Sequence, residues 1–410
     1  MIKGKVQIDL HNHRTGLKDR IEQENMVTDA IPDLAEAFAD FGHKISEFSS
    51  IAPLCNSGLG GLILWDNTLT ESASNYHFPN NAKPLAFVAR GTNTSTANRG
   101  SLNGLETGWV DDDTYMNVWD FNTSQANGII RSLSLVHKDI GENPSDVAYV
   151  IEDMGTSYNI NAYIDFETMD FYGIFANYTE QKTNWVKTKK YYSDLPIGAS
   201  FGSYEYANKK VVELGAYDGS AYRTSYWYYN GEVYFKLLIG NSSNLCKINP
   251  QTGSLTVLKS LSVYDYIAVV NGYLYTASYR GAGSGREYSE VRKYSLSNLS
   301  TYTTINTGLT NSYGGRLTYI GNGVIAHFTT NETIYIYPDD SIYKPGAYIP
   351  LSYEKYTEGM MNQDEIIAVK SPYNYLCAYK NYLGTICNLA QPIEKNSTTS
   401  MKVKYTITNA

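Results

Sequence analysis

Val6, Ile8 and Leu10 alternate with polar residues, the period of two that sets one face of a β-strand on a core. A polar turn, Asn12 to Gly16, follows, and a second strand runs to about Glu22. From Met26 to Phe41 the period changes: Ile31, Leu34, Ala35, Phe38 and Phe41 share one face at helical spacing. Pro32 suits a first helical turn and Gly42 a C-terminal stop, so this stretch predicts the one convincing helix. Residues 60–138 read as irregular β structure, with Leu62 to Trp65 and Val118 to Phe121 as short buried strands and Arg90 to Gly100 as a long loop. Trp119 to Val136 reads as a β-hairpin turning on Asn127-Gly128, where Asn-Gly supplies positive φ angles.

Beyond Tyr158 the pattern becomes short strands and turns with weak self-similarity. Tyr163, Tyr206, Lys247, Lys293 and Tyr335 open related segments, each roughly 41 to 46 residues after the last, close to the blade period of a propeller. Asn-Gly turns at Asn230-Gly231, Asn271-Gly272 and Asn322-Gly323 precede three of them, and Asn249 to Gly253 reads as a propeller-type turn. The chain closes on an alternating strand with Met401, Val403, Tyr405 and Ile407 on one face, a pattern like that of the first hairpin. The fold class is therefore mostly β. A β-sandwich-like mounting domain is formed by the N- and C-terminal segments, and a β-propeller-like domain of five or six blades is inserted, the sixth falling near Ala378 to Thr385. A pair of sandwiches or a β-helix would give similar spacing. The divisions are 1–57 (hairpin plus helix), 58–145 (irregular β domain), 150–386 (propeller-like) and 387–410 (a strand pairing back).

Composition narrows the function classes. Of 410 residues, 18 % are charged, below the globular average of about 25 %. Tyr (38) outnumbers Phe (12) about threefold. A net charge of −8 without a Lys/Arg block argues against a nucleic-acid partner. Met1 to Asp9 lacks the apolar run of a signal peptide, and no apolar stretch reaches membrane-spanning length. Cys55, Cys246, Cys377 and Cys387 show no Cys-x-x-Cys spacing and read as buried, reduced thiols.

Candidate chemistry divides unevenly. His11-Asn12-His13 lacks the later residues of an HNH nuclease and reads as a solvated turn. Asp111 to Asp113 offers hard-cation ligands, but no EF-hand pattern follows, so a solvated acidic turn is expected. Asp165, Glu167 and Asp170 hold carboxylates of the kind glycosidases use, yet Asp165 and Glu167 share one face of one strand, so a strand edge is expected. His327, flanked by apolar residues, reads as core. No catalytic residue, metal site or cofactor is expected.

The Tyr clusters are the strongest candidates: Tyr222, Tyr226, Trp227, Tyr228 and Tyr229, then Tyr264, Tyr266, Tyr273, Tyr275 and Tyr279. Sugar C–H faces stack on aromatic rings while Tyr hydroxyls bond their edges, and ordering Tyr costs little entropy. Propeller strands also pack aromatics between blades, so two-thirds of these Tyr are expected in packing. The ligand-binding set is Tyr222, Tyr226, Trp227, Tyr228, Tyr264, Tyr273 and Tyr275.

Asn67 to Glu71, Arg90 to Asn93 and Ser124 to Gly128, in this order, together with Gly4 to Ala30 and Asn388 to Thr408, resemble segments of minor structural and tail-tip proteins of tailed bacteriophages infecting Firmicutes. The resemblance covers about 1–138 and 388–410. It implies a modular adhesin of the virion, assembled in the host cytoplasm: a mount for the particle and a variable, host-facing module. Its implied partners are other virion proteins and a host cell-surface glycan or protein, with homo-oligomers on the particle. It includes no catalytic residue. The alternatives are a purely structural collar, baseplate or capsid-decorating protein, and a polysaccharide depolymerase.

Overall fold

The structure is a computed structural model. It describes residues 2–31, 55, 59–74, 77–81, 83–89, 91–137, 149–153, 158–165, 170–177, 182–188, 210–216, 226–239, 242–249, 251–262, 265–277, 290–309, 316–328, 332–345, 357–361, 365–370, 375–380 and 383–409; within 149–216 and 357–380 it describes the backbone. The chain forms two compact units. The first joins Met1–Asp146, Tyr343–Lys355 and Asn381–Ala410; the second joins Val147–Ile342 and Tyr356–Lys380.

The first unit opens with β1 (Ile2–Asn12), β2 (Lys18–Val27), β3 (Leu59–Trp65), β4 (Pro84–Val88), β5 (Ser101–Leu102), β6 (Gly108–Trp109), β7 (Thr114–Phe121) and β8 (Gly128–His137). Twenty strands of the second unit, β9 to β28, are placed below. The chain then returns as β29 (Thr385–Lys395) and β30 (Thr399–Asn409).

These ten strands make one sheet in the order β4-β3-β8-β29-β2-β1-β30-β7-β5, with β6 beside β7. The two chain ends pair directly: β1 runs antiparallel to β30 from Ile2↔Asn409 to Asn12↔Thr399. The edges also meet. Phe87 N–H of β4 donates to Asn98 O at 2.9 Å, and Gly100 N–H, just before β5, donates to Phe87 O at 3.0 Å. The sheet thus closes on a core and is sandwich-like across it: the Trp119 indole on β7 donates to Gly60 O on β3 at 2.9 Å. The alternation read from the sequence supplies that core. Val6, Ile8, Met401, Val403, Tyr405 and Ile407 are buried, with Leu62, Leu64, Leu133 and Leu135.

Residues 1–57, 58–145 and 387–410 all contribute to one sheet, through β1, β2, β3 to β8, β29 and β30. Two sequence expectations need correction here. The 119–136 stretch is not a β-hairpin. Strand β7 pairs with β30, β5 and β6, while β8 pairs with β29 and β3. Positive φ falls on Ala126 (53°) and Gly128 (145°), not on Asn127. The cause is Gln125, buried in the connection: its amide donates to Asn93 O and Arg99 O, and Ala126 N–H donates to Ala97 O at 2.7 Å. The link is thereby tied to the 93–99 loop rather than to a partner strand. Finally, β2 continues through Val27, so Met26 is strand; a helical turn starts at Ala30 and Ile31, and the rest of the predicted 26–41 helix lies outside the described residues.

Segments 67–71 and 388–408 bond to one another across the sheet. Asn388 accepts from Leu69 N–H at 2.8 Å and donates to Leu69 O at 2.8 Å and to Glu71 Oε1 at 3.0 Å. Gln125 reaches Asn93 in the same way.

The second unit is propeller-like. Its strands are β9 (Tyr149–Asp153), β10 (Tyr158–Asp165), β11 (Asp170–Asn177), β12 (Lys182–Thr188), β13 (Lys210–Ala216), β14 (Tyr226–Tyr229), β15 (Glu232–Ile239), β16 (Ser242–Ile248), β17 (Leu255–Leu261), β18 (Tyr266–Val270), β19 (Tyr273–Ala277), β20 (Glu290–Ser295), β21 (Asn298–Asn306), β22 (Arg316–Gly321), β23 (Val324–Phe328), β24 (Thr333–Ile336), β25 (Ile342–Tyr343), β26 (Thr357–Met361), β27 (Glu365–Lys370) and β28 (Tyr375–Lys380). They form five four-stranded meanders among the described residues: β10 to β13, β14 to β17, β18 to β21, β22 to β25, and β26 to β28 completed by β9. The last blade therefore draws its outer strand from the start of the unit. Strands β14 and β26 also pair, in parallel. Among the described residues no sixth blade lies near Ala378 to Thr385: Tyr375–Lys380 is β28 and Thr385 begins β29.

The repeat is legible on the third strands. Lys247, Lys293 and Tyr335 all lie there, on β16, β20 and β24. Tyr163 departs from the pattern, lying on the first strand of its blade, and Tyr206 is outside the described residues. Cys55, Cys246 and Cys387 are free and buried, and burial pushes each thiol up to about 12.

Two stability predictions follow from these cores. Trp119→Ala should lower the unfolding free energy of the first unit by about 4 kcal/mol, from the void and the bond lost at Gly60, read by denaturant unfolding. His327 is fully buried on β23, and burial lowers its pKa from 6.5 to about 4. The unfolded chain takes up the proton near pH 6.5 and the folded one only near 4. Stability should be level above pH 7 and fall by on the order of 3 kcal/mol between pH 6.5 and 4, a slope that His327→Gln removes in pH-dependent melts.

Candidate functional site

The Asn-Gly turns build one face of the second unit. Asn230, Asn271 and Asn322 have φ of 49°, 50° and 46°, and Gly231, Gly272 and Gly323 follow at 77°, 81° and 81°. Paired positive φ angles of this kind define the type I′ turn, whose twist matches the strands it joins. Successive turns nest. The Tyr229 hydroxyl would lie 3.1 Å from a Cβ at Gly272, and Asn271 Nδ2 and Pro338 Cγ each 2.9 Å from one at Gly323. Glycine is required at Gly323 both by conformation and by this approach.

The connections between third and fourth strands reach the same face. Leu296 N–H donates to Gly272 O at 2.9 Å. The Asn249 to Gly253 turn is held by Asn249 Oδ1, which accepts from Gln251 N–H and Thr252 N–H, with Gly253 at φ 75°.

Beside these turns, two blades repeat a Tyr–Lys pair across strands. Tyr234 faces Lys247, and Tyr275 faces Lys293. In the β14–β17 blade, Glu232 completes the set. It accepts from Lys247 Nζ at 2.7 Å and from the Tyr234 hydroxyl at 3.2 Å. Burial, then the Glu232 charge, pushes Tyr234 up to about 12. In the next blade the position of Glu232 is taken by Tyr273, whose ring lies 4.4 Å from Lys293 Nζ. The carboxylate now comes from the following blade: Asp340, at φ 66°, accepts from Lys293 Nζ at 2.5 Å. Burial opposes the Lys293 charge, but Asp340 and Tyr275 outweigh it and raise its pKa.

The opposite face of β20 and β21 carries a second aromatic–cation group. Arg292 sits 4.7 Å from the Tyr302 ring, Tyr302 lies 5.2 Å from Tyr294, and Lys259 Nζ lies 4.7 Å from Tyr294. Tyr273 is 40 % exposed and Tyr302 49 %.

The sequence-derived Tyr set therefore divides. Tyr273 is open to solvent and Tyr228 half-buried. Trp227 (1 % exposed) and Tyr275 (3 %) are corrected to packing residues, since neither ring has a face to offer a ligand. The backbone of Tyr226 lies on β14, and Tyr222 and Tyr264 lie outside the described residues. Sequence reading missed Lys293, Asp340, Arg292 and Tyr302. The third-strand repeat marked Lys293 as structural, and nothing local ties Asp340 to it.

The other candidates resolve simply. Asp111 to Asp113 form an exposed turn in which Asp113 N–H donates to Asp111 Oδ1 at 3.0 Å. The His11 and His13 rings lie 4.4 Å apart at a 44° tilt, with His13 Nε2 2.9 Å from Ser400 Oγ. Asp165 and Asp170 are register partners closing the β10–β11 hairpin, and Glu167 lies outside the described residues. Among the described residues no helix is long and apolar enough to cross a membrane.

The two tyrosines of β19 should respond oppositely to truncation. Tyr275→Ala should cost about 3 kcal/mol of stability and Tyr273→Ala under about 1 kcal/mol, measured by denaturant unfolding of the two variants.

No protein-family model matches the chain, and no curated protein matches it. Among solved structures it is similar to the nidogen/laminin complex (10 % identity, 71 % of this chain and 94 % of that chain, TM-score 0.30). It is similar also to virginiamycin B lyase from Staphylococcus aureus (12 %, 75 % and 97 %, 0.30) and to prolyl oligopeptidase B from Galerina marginata (11 %, 93 % and 53 %, 0.32). Likeness at these TM-scores carries no inference about what this chain does. The fold rests on its own strand order.

Proposed function

We propose that the chain is a non-enzymatic component of a phage virion, of tail-tip or fibre type. In this reading the closed sheet of the first unit mounts it on other virion proteins, and the propeller-like unit contacts a host-surface glycan or protein. The observation that carries the binding role is the pair of half-exposed tyrosines, Tyr273 and Tyr302, each beside a cation. A ring held at a fixed angle by a neighbouring Lys or Arg is preorganised, and its open surface suits the C–H face of a sugar. Lys293, Asp340 and the turn asparagines add hydrogen-bonding groups at the edge. Many copies on one particle would turn weak single contacts into firm adsorption. The phage assignment itself rests on the resemblance of 1–138 and 388–410.

Adsorption of the labelled full-length protein to susceptible cells tests the reading. Saturable binding that Tyr273→Ala with Tyr302→Ala weakens by about tenfold, roughly 1.4 kcal/mol, is the expected result. Absence of binding by the folded protein would move the assignment to a structural collar or baseplate role. Release of reducing ends from the cell polysaccharide would instead indicate a depolymerase.

A further inference from the structure

We propose that the first unit binds a second copy of this chain head to tail, through two tips of opposite charge at opposite ends of its sheet. One tip is the turn between β1 and β2. Leu17 stands 70 % exposed there, flanked by exposed Arg14 and Lys18. Neither cation makes an ion pair among the described residues, whereas neighbouring Arg20 is held by Asp9 at 2.7 Å. Asp19, also at this tip, accepts from Arg20 N–H. The other tip is the turn between β6 and β7. Trp109 (41 %) and Val110 (58 %) are exposed, and Asp111, Asp112 and Asp113 follow, all exposed.

The register sets these tips apart. Strand β1 pairs antiparallel with β30, and β30 antiparallel with β7. His11 lies opposite Ser400 at one end, and Thr408 opposite Thr114 at the other. An eleven-residue strand spans about 35 Å, so the tips point away from each other along the sheet.

Both tips are tied by local contacts. Asn12 Oδ1 accepts from Arg14 N–H and Thr15 N–H, and Gly16 N–H donates to Asn12 O at 2.8 Å. At the acidic tip Val110 N–H donates to Thr114 O, Asn409 N–H donates to Asp113 O, and Trp109 packs edge-on against Tyr115 at 5.2 Å. Ordering either tip on binding therefore costs little.

Leu17 at one apex, and Trp109 with Val110 at the other, give each charged turn an apolar contact point. Opposite charge on antipodal ends of one molecule selects a second copy as occupant. A two-fold contact through the acidic tip alone would set aspartate against aspartate, which like-charge repulsion disfavours. A head-to-tail contact instead sets Arg14 and Lys18 against the aspartates and Leu17 against Val110 and Trp109. Such heterologous contacts build a ring where the rotation closes and a filament where it does not. The inference does not depend on glycan binding by the propeller-like unit.

Sedimentation velocity of the full chain over a concentration series tests it. The wild type should associate, and raised salt should weaken the association. Two charge-reversed proteins make the test specific: Asp111→Lys with Asp113→Lys, carrying two basic tips, and Arg14→Glu with Lys18→Glu, carrying two acidic ones. Each alone should need about tenfold more protein to associate, and an equimolar mixture should recover the wild-type behaviour. Val110→Ser, at an exposed position, should weaken association with an unchanged unfolding midpoint. A wild type that stays monomeric throughout overturns the proposal. So do reversed proteins that associate as the wild type does, or a mixture of folded reversed proteins that stays apart. Cell adsorption by a monomeric reversed variant separates failure here from failure of the adhesin reading.

Discussion

The first unit depends on one pairing, β1 against β30, which joins the two ends of the chain along eleven registers. Closing a loop of nearly four hundred residues costs about 5 kcal/mol on logarithmic scaling, a modest sum against an eleven-residue ladder with a buried face. That weak dependence on length lets a whole second unit sit between β8 and β29 without unmaking the sheet. The chain leaves the sheet from one strand and returns on its neighbour, so the insertion interrupts the sequence and not the hydrogen bonding. The core then tightens the closure: Trp119 reaches across it to the β3 backbone, and the Tyr405 hydroxyl donates to Thr385, both buried.

In the second unit the organising constraint is the type I′ turn. Three Asn-Gly pairs put successive blades in the same twist, and each turn lodges against the next. Side chains near the turns are consequently shared between blades, as Lys293 is with Asp340. The same cross-strand position holds a Tyr–Lys pair in two blades and Ala326 with Tyr335 in the third. One backbone device thus repeats while the side chains on it change.

Several features were legible from residues alone, each because its cause is local. The alternation of Val6, Ile8, Met401, Val403 and Tyr405 followed from a two-residue period, and the Asn-Gly hairpins from the low cost of positive φ at those residues. Lys247, Lys293 and Tyr335 revealed the third strands because a repeated meander repeats its sequence positions. The 119–136 stretch misled for an instructive reason. Its turn residues suit a hairpin, yet Gln125 offers an amide that three loop carbonyls satisfy better, and both flanking strands find partners elsewhere. Non-local hydrogen bonding overrode local propensity.

The candidate site shows the same division. Tyr abundance pointed to the β14–β17 and β18–β21 blades, but period-two alternation alone could not say which of their tyrosines are buried. Burial removed Trp227 and Tyr275, and exposure kept Tyr273. The sequence by itself determined the β class, the blade period and the turn chemistry, because these depend on steric preferences within a few residues. Only the tertiary structure decided that β7 and β8 pair with β30 and β29 rather than with each other, that the fifth blade draws its outer strand from the start of the unit, and that Asp340 serves Lys293. Each of those is a contact between residues distant in the chain, and its energy is set by packing and burial rather than by any local pattern.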